Sequence, residues 1–222
     1  MIFKRSITVV VCPTDDEERD VGRYRNTYDF VRARTLGMLA DEIRTRLSGE
    51  DFCIAEVGVF RGDFASRLNN EFPDKQFYLF DTFEGFPDHD KQLDIQMKLS
   101  ENTVYKRGNF NATSVRLVLG KMSNPELCQI CKGYFPETLG EEHKDLKWGL
   151  VSLDVDLYKP TLDALEFFYP SLLPGGYIMI HDYNNQLFRG VRQAVKEFEE
   201  KHGEVAKIPI PDSSGSLVIA KP

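Results

Sequence analysis

VSLDVDLYKPTLDALEFFYPSLLPGGYIMIHD, residues 151–182, is the stretch on which the reading of this chain turns. An apolar strand runs out into two acids, Asp154 and Asp156. A helix follows, with Pro160 near its first turn, where the missing N–H costs little. A Pro-Gly-Gly turn then leads into a second apolar strand that ends in His181-Asp182. Two parallel strands joined by a crossover helix would deliver Asp154, Asp156, His181 and Asp182 to one sheet edge. Ligands of open α/β sheets bind there, outside the carboxyl ends of the strands.

The same rhythm extends outward. Residues 52–57 form a continuous apolar strand, followed by a turn over residues 58–62 and a helix through residue 68. Residues 76–80 read as a second buried strand ending in Asp81, and residues 127–131 as a third, preceded by a helix over 113–122. Residues 133–139 make a turn with a short helix. Residues 150–153 and 177–180 are the strands of the opening stretch, with Gly175-Gly176 as the turn before the latter. Residues 188–201 form a helix with Val191, Val195 and Phe198 on one face, and residues 205–208 and 216–220 form a closing pair. Strands alternating with helices specify an α/β fold with a mostly parallel sheet. One domain is expected, with residues 1–50 as an N-terminal cover and 51–222 as the core.

Two regions stand outside that rhythm. In residues 28–47, Phe30, Val31, Leu36, Leu39, Ile43 and Leu47 recur at three-to-four spacing. This predicts one amphipathic helix, or two broken near residues 35–37, packed over the sheet as a cover or lid. Before it, residues 7–11 form a short edge strand and residues 14–24 a charged loop. Residues 82–110 show no clear period, and a structureless stretch of that length in a compact domain is often functional.

Composition narrows the partners. With 41% hydrophobic and 28% charged residues the chain is an ordinary globular protein. A net charge of −7 argues against nucleic acid or an anionic membrane, since both demand a basic field. The Arg-rich run over residues 19–46 is interleaved with acids and reads as a solvated helix face. Cys128 and Cys131 have the spacing of a redox or half-zinc motif, but no second pair completes it. On a strand, positions three apart face opposite sides. Sparse, unpatterned cysteines fit a reducing cytoplasm, and no stretch approaches the ~20 apolar residues of a membrane span.

The segment AEVGVFRGDFA places Glu56, Gly58 and Gly62 in the first strand-to-helix turn. This is not the GxGxxG dinucleotide fingerprint, because Phe60 holds its second glycine position. The glycines would allow close approach of backbone to a ligand, and Glu56 would fix a negative charge where a cationic group could sit. Asp81, about 20 residues on, is where nucleoside-binding α/β folds place a ribose acid. A plain turn and a capping acid are the structural alternatives for these two features. Together they point to a nucleoside cofactor without a pyrophosphate, S-adenosylmethionine rather than NAD.

AEVGVFRGDFA, FYLFDTFEGF, CKGYFPETL, the opening stretch and GVRQAVKEFEE resemble successive blocks of the macrocin/novobiocin-type sugar O-methyltransferases. The pairing of LDxDLY with PGGxxxxxDY is the most specific part. The resemblance implies a Rossmann-like class I methyltransferase fold, a single domain with a mostly parallel seven-stranded sheet, a C-terminal antiparallel strand, helices on both faces and N-terminal lid helices. It implies that the methionine half of S-adenosylmethionine lies over residues 56–62, with its ribose on Asp81. The adenine would sit near Thr82, Phe83, Gly133, Tyr134 and Phe135. A divalent metal, Mg2+ in such enzymes, would be held by Asp154 and the His181-Asp182 pair, with Asp156 as general base.

His181 departs from the acidic pair of that family. Magnesium prefers oxygen ligands, so histidine either shifts preference toward Mn2+ or another transition ion or leaves the coordination shell for hydrogen bonding. The expected reaction is methyl transfer to a hydroxyl of a sugar on a glycan or glycosylated metabolite. A catechol-like phenol is the alternative acceptor, and a catalytically silent nucleoside-binding domain the alternative function. A cytoplasmic homodimer is expected, without nucleic acid or membrane as partner.

Overall fold

A computed structural model describes residues 29–105 and 110–222. The edge strand and charged loop expected before residue 28 lie outside the described residues. Seven strands form one sheet in the order β3-β2-β1-β4-β5-β7-β6. They are β1 (Cys53–Val57), β2 (Phe77–Asp81), β3 (Cys128–Lys132), β4 (Trp148–Leu153), β5 (Leu172–Ile180), β6 (Ala206–Pro209) and β7 (Leu217–Ala220). The first five are parallel, and β7 runs antiparallel to both β5 and β6. The chain winds outward from β1 to β3, then returns to lay β4 on the other side of β1. That reversal opens a crevice at the carboxyl ends of β1 and β4.

The apolar runs form strands because both sheet faces are covered. Alternate side chains feed two cores. Val57, Phe80, Trp148 and Val151 pack on one face with Phe168 of α6 (Tyr158–Ser171) and Phe198 of α7 (Arg189–His202). Ile54, Phe77, Leu79 and Leu150 pack on the other with α1 (Phe30–Arg46) and α2 (Asp63–Glu71). Cys128 and Cys131 separate between these two cores, as their spacing on a strand requires. Helix α1 is unbroken through Gly37 and capped at its start by Asp29, whose carboxylate accepts from the N–H of Arg32 at 3.0 Å. Its buried stripe, Leu36, Ala40, Ile43 and Leu47, makes it the cover of that face.

Three expectations need correction. Pro174-Gly175-Gly176 does not precede β5 but lies inside it. Trp148 pairs with Leu172 and the next pair is Leu150 with Tyr177, so four residues bulge opposite Gly149. Gly175 takes φ +92°, and a Cβ on Gly176 would stand 2.8 Å from the Gly149 carbonyl oxygen. Secondly, residues 82–110 are not structureless. They include α3 (Asp88–Gln96) and the short α4 (Asn102–Tyr105). The residues α3 buries are Asp90 and Asp94, so no apolar period announces it. Helix α5 (Val115–Leu119) is shorter than expected and starts at Ser114, whose hydroxyl accepts from Leu117 N–H.

Gly58 is where β1 and β4 meet. It takes φ +84°, and a Cβ there would stand 2.0 Å from the carbonyl oxygen of Asp154. Its freedom from a side chain therefore serves the approach of the chain to itself. A Cβ on Gly62 would likewise stand 3.1 Å from Val118 Cγ1. Gly58→Ala is expected to cost about 2–5 kcal/mol, from backbone strain plus overpacking. Urea unfolding of the two proteins measures it, and a loss within ~0.5 kcal/mol would contradict the assignment.

Candidate active site

β4 and β5 end in register, Leu153 beside Ile180, so Asp154 and His181 leave adjacent strands at the same level. The ladder continues one step, with Asp154 N–H donating to Val57 O and His181 N–H to Leu153 O, both at 2.8 Å. The strand does not carry on to Asp156. Asp156 and Asp182 instead take positive φ, +60° and +56°, a region non-glycine residues enter at a cost and mostly at functional sites. Those turns fold both carboxylates back. Donor atoms of Asp154, Asp156, His181 and Asp182 all lie within 4.8 Å of one another.

The four groups form a buried charge network. His181 Nδ1 lies 3.0 Å from Asp154 Oδ1 and 2.5 Å from Asp182 Oδ2. Asn185 Nδ2 donates to the other Asp182 oxygen at 2.5 Å. Arg32 donates to Asp154 Oδ2 at 2.8 Å and to the Ser152 hydroxyl at 3.4 Å, its guanidinium 3.7 Å above the centre of the Phe64 ring. Burial alone would favour a neutral imidazole, but the Asp154 charge and hydrogen bonds to both acids raise the His181 pKa to about 9. Burial works against ionised Asp154 as well, yet His181 and Arg32 hold its carboxyl well below the usual range. Asp182 is lowered by the same imidazolium. Asp156 moves the other way: burial, then its neighbours Asp182 and Asp154, push it well above the usual range.

Arg32 was hidden in a run read as a solvated face. Its neighbours Arg34, Arg44 and Arg46 are exposed, whereas Arg32 is buried. The signal was its register, one turn before Leu36 and two before Ala40 on the stripe α1 buries.

A cleft runs from Gly58, Asp154 and Asp156 across Asp81 and Thr82 to Gly133, Tyr134 and Phe135. Glu56 lies under the adjoining hollow that Arg32 and His181 share. Full burial raises its pKa far above the usual value, Arg32 opposing, and only Ser152 approaches its Oε1, at 3.5 Å. Its Oε2 has no hydrogen-bond partner. Asp81 fastens the glycine turn: Oδ2 accepts from Val59 and Phe60 N–H, both at 2.7 Å, and Oδ1 from Phe83 N–H at 2.6 Å. Carboxylate oxygens can accept more than one bond, so this leaves capacity for a ribose hydroxyl. The Thr82 hydroxyl donates to Gly85 O at 2.8 Å. Phe83 does not line the cleft, because its side chain is buried in the core under α1 and α2.

Among the described residues no helix is long and apolar enough to cross a membrane. Residues 10–216 match the family described as Macrocin-O-methyltransferase (TylF). Mycinamicin III 3''-O-methyltransferase of Micromonospora griseorubida is 30% identical over 162 residues, 68% of this chain and 61% of that protein. A 4'-O-methyltransferase of 8-demethyl-8-(2,3-dimethoxy-alpha-L-rhamnosyl)-tetracenomycin C from Streptomyces olivaceus is 27% identical over 177 residues, 73% of this chain and 63% of that one. The chain thus spans under two thirds of the length of these relatives. The solved structure of the O-methyltransferase NovP superposes with a TM-score of 0.68 at 21% identity, covering 86% of this chain and 80% of NovP. The sheet order and these likenesses make the fold that of the class I methyltransferases, and the chain belongs to the macrocin O-methyltransferase family.

Proposed function

We propose that this protein transfers the methyl group of S-adenosylmethionine to a hydroxyl of a sugar that carries a second hydroxyl beside it. The convergence of Asp154, Asp156, His181 and Asp182 at the end of the cleft carries this reading. The names of the two relatives, one of them specifying a rhamnosyl compound, support a sugar-linked acceptor. The cofactor would lie with its methionine over residues 56–62, its ribose at Asp81 and its adenine toward Gly133, Tyr134 and Phe135. The buried, unpartnered Glu56 Oε2 suits the ammonium group of the methionine.

Methyl transfer is an in-line displacement, so alignment of oxygen, methyl and sulfur supplies much of the rate. Asp156 would take the hydroxyl proton. The neighbours that raise its proton affinity make it a stronger acceptor once ionised. Three carboxylates and one imidazole, this closely gathered, also match the donor set of a divalent cation. The unbalanced acidity that drives Asp156 toward its protonated form is what such an ion would relieve. Asp154 and Asp182 would hold it, with His181 joining after loss of its proton and Asp156 left free as the base. When bound, the ion would acidify a chelated hydroxyl.

Asp156→Asn should keep affinity for S-adenosylhomocysteine within about 2-fold and lose roughly 100-fold or more in turnover. Titration calorimetry and product release from glycosides with free vicinal hydroxyls, with and without chelator, test both halves. Full turnover in the variant removes Asp156 as the base, and a wild-type protein that binds no cofactor overturns the reading as a whole. A second expectation concerns His181. Its folded pKa is raised, so its stabilisation is complete below the unfolded value of about 6.5 and is lost as pH climbs through about 9. In chelator, unfolding free energy should therefore fall over that window, and fall less steeply in His181→Asn. Parallel slopes would show an uncharged ring.

A further inference from the structure

Helix α3 buries two carboxylates one turn apart. Asp94 is accounted for by the fold, since its Oδ1 accepts from the N–H of Tyr158 at 3.2 Å where α6 begins. Asp90 is not. It is 1% exposed, its Oδ1 accepts from the Tyr134 hydroxyl at 3.2 Å, and its Oδ2 has no hydrogen-bond partner. Asp90 nevertheless lines the cleft, beside Tyr134, Phe135 and Pro160. Burial raises its pKa, with the Tyr134 bond and the exposed His89 ring, 3.5 Å from Oδ1, opposing. A free acceptor of this kind gains from any ligand that brings it a donor.

Its place along the cleft says which donor. The acids at the ends of β4 and β5 mark the reacting end, and Gly133, Tyr134 and Phe135 follow β3 at the far side of the β3-β2-β1-β4 order. Three strand spacings of about 4.8 Å put roughly 14 Å between them, on the order of the length of an extended nucleoside cofactor. The base, remote from the sulfonium, then falls among Phe80, Tyr134, Phe135 and Pro160, an apolar and aromatic slot suited to a flat ring. Resting on the S-adenosylmethionine reading above, we propose that Asp90 Oδ2 accepts a hydrogen bond from the exocyclic N6 amino group of adenine and makes the cleft selective for that base.

The Tyr134 hydroxyl gives this a directional consequence. It donates to one oxygen of residue 90, so Oδ2 is the atom left without a partner. In Asp90→Asn the amide carbonyl would stay on Tyr134 and the NH2 would face the base. That arrangement opposes an N6 amino group but complements the O6 carbonyl of hypoxanthine. Titration calorimetry of the full chain with S-adenosylhomocysteine and S-inosylhomocysteine tests it. The wild-type protein should prefer the adenine ligand by about 10-fold or more, the range of a lost buried hydrogen bond. Asp90→Asn should bind S-adenosylhomocysteine at least about 10-fold more weakly and bring the two ligands level or invert them. A wild-type protein that binds both ligands equally overturns the proposal without recourse to the variant, as does a variant with the wild-type ratio. A wild-type protein that binds neither overturns the cofactor reading itself, which is a different outcome.

Discussion

The contact between Gly58 and Asp154 is the constraint on which the site depends. The carbonyl of Asp154 occupies the space a side chain on residue 58 would need, while its N–H donates to Val57. This draws the end of β4 against the end of β1, at the point where the strand order reverses. The carboxylate of Asp154 can then sit between the imidazole delivered by β5 and the guanidinium delivered by α1. The neighbouring turn is held by a different device, with Asp81 gathering the amides of Val59 and Phe60. Backbone close packing and one strand-end carboxylate thus define the cleft floor before any ligand is considered.

Charge is distributed unevenly across that floor. Arg32 and His181 face three carboxylates in the cluster and Glu56 beneath it. Two of the acids, Asp154 and Asp182, contact the cations directly and are held ionised. Asp156 and Glu56 receive no such contact and are driven toward protonation. Environment therefore divides chemically similar carboxyls into fixed charges and proton acceptors, the separation acid–base chemistry requires. Buried pairs of this kind add little net stability over apolar packing, but breaking one strands a charge. Their place at the end of a cleft is better explained by function.

Much of this was legible in the sequence because the sheet is buried on both faces. Strands β1, β2, β4 and β5 show as apolar runs, and the acids and histidine at their ends mark the site edge. The bulge in β5 was not legible, because it depends on Gly149 opposite Gly176, a contact no local pattern encodes. Helix α3 escaped because its inward face carries Asp90 and Asp94 where periodicity looks for apolar residues. Arg32 escaped for the complementary reason. Its charge is typical of a helix surface, and only a partner 122 positions away makes it part of the site. Asp81 stands at the end of β2 as its apolar run indicated, but its three backbone amides could not be foreseen from spacing alone.

The histidine at position 181 gains meaning from this geometry. A histidine ring placed between Asp154 and Asp182 carries one positive charge to the spot where a divalent ion would carry two. The two occupants compete for the same oxygens. Metal ligation needs a neutral imidazole, so an ion captured here would have to displace the proton that both carboxylates hold on the ring. The stronger that hold, the more the site behaves at neutral pH as a closed ion network, and the more capture of an ion depends on rising pH. A histidine at this place would thus link capture of an ion to loss of one ring proton.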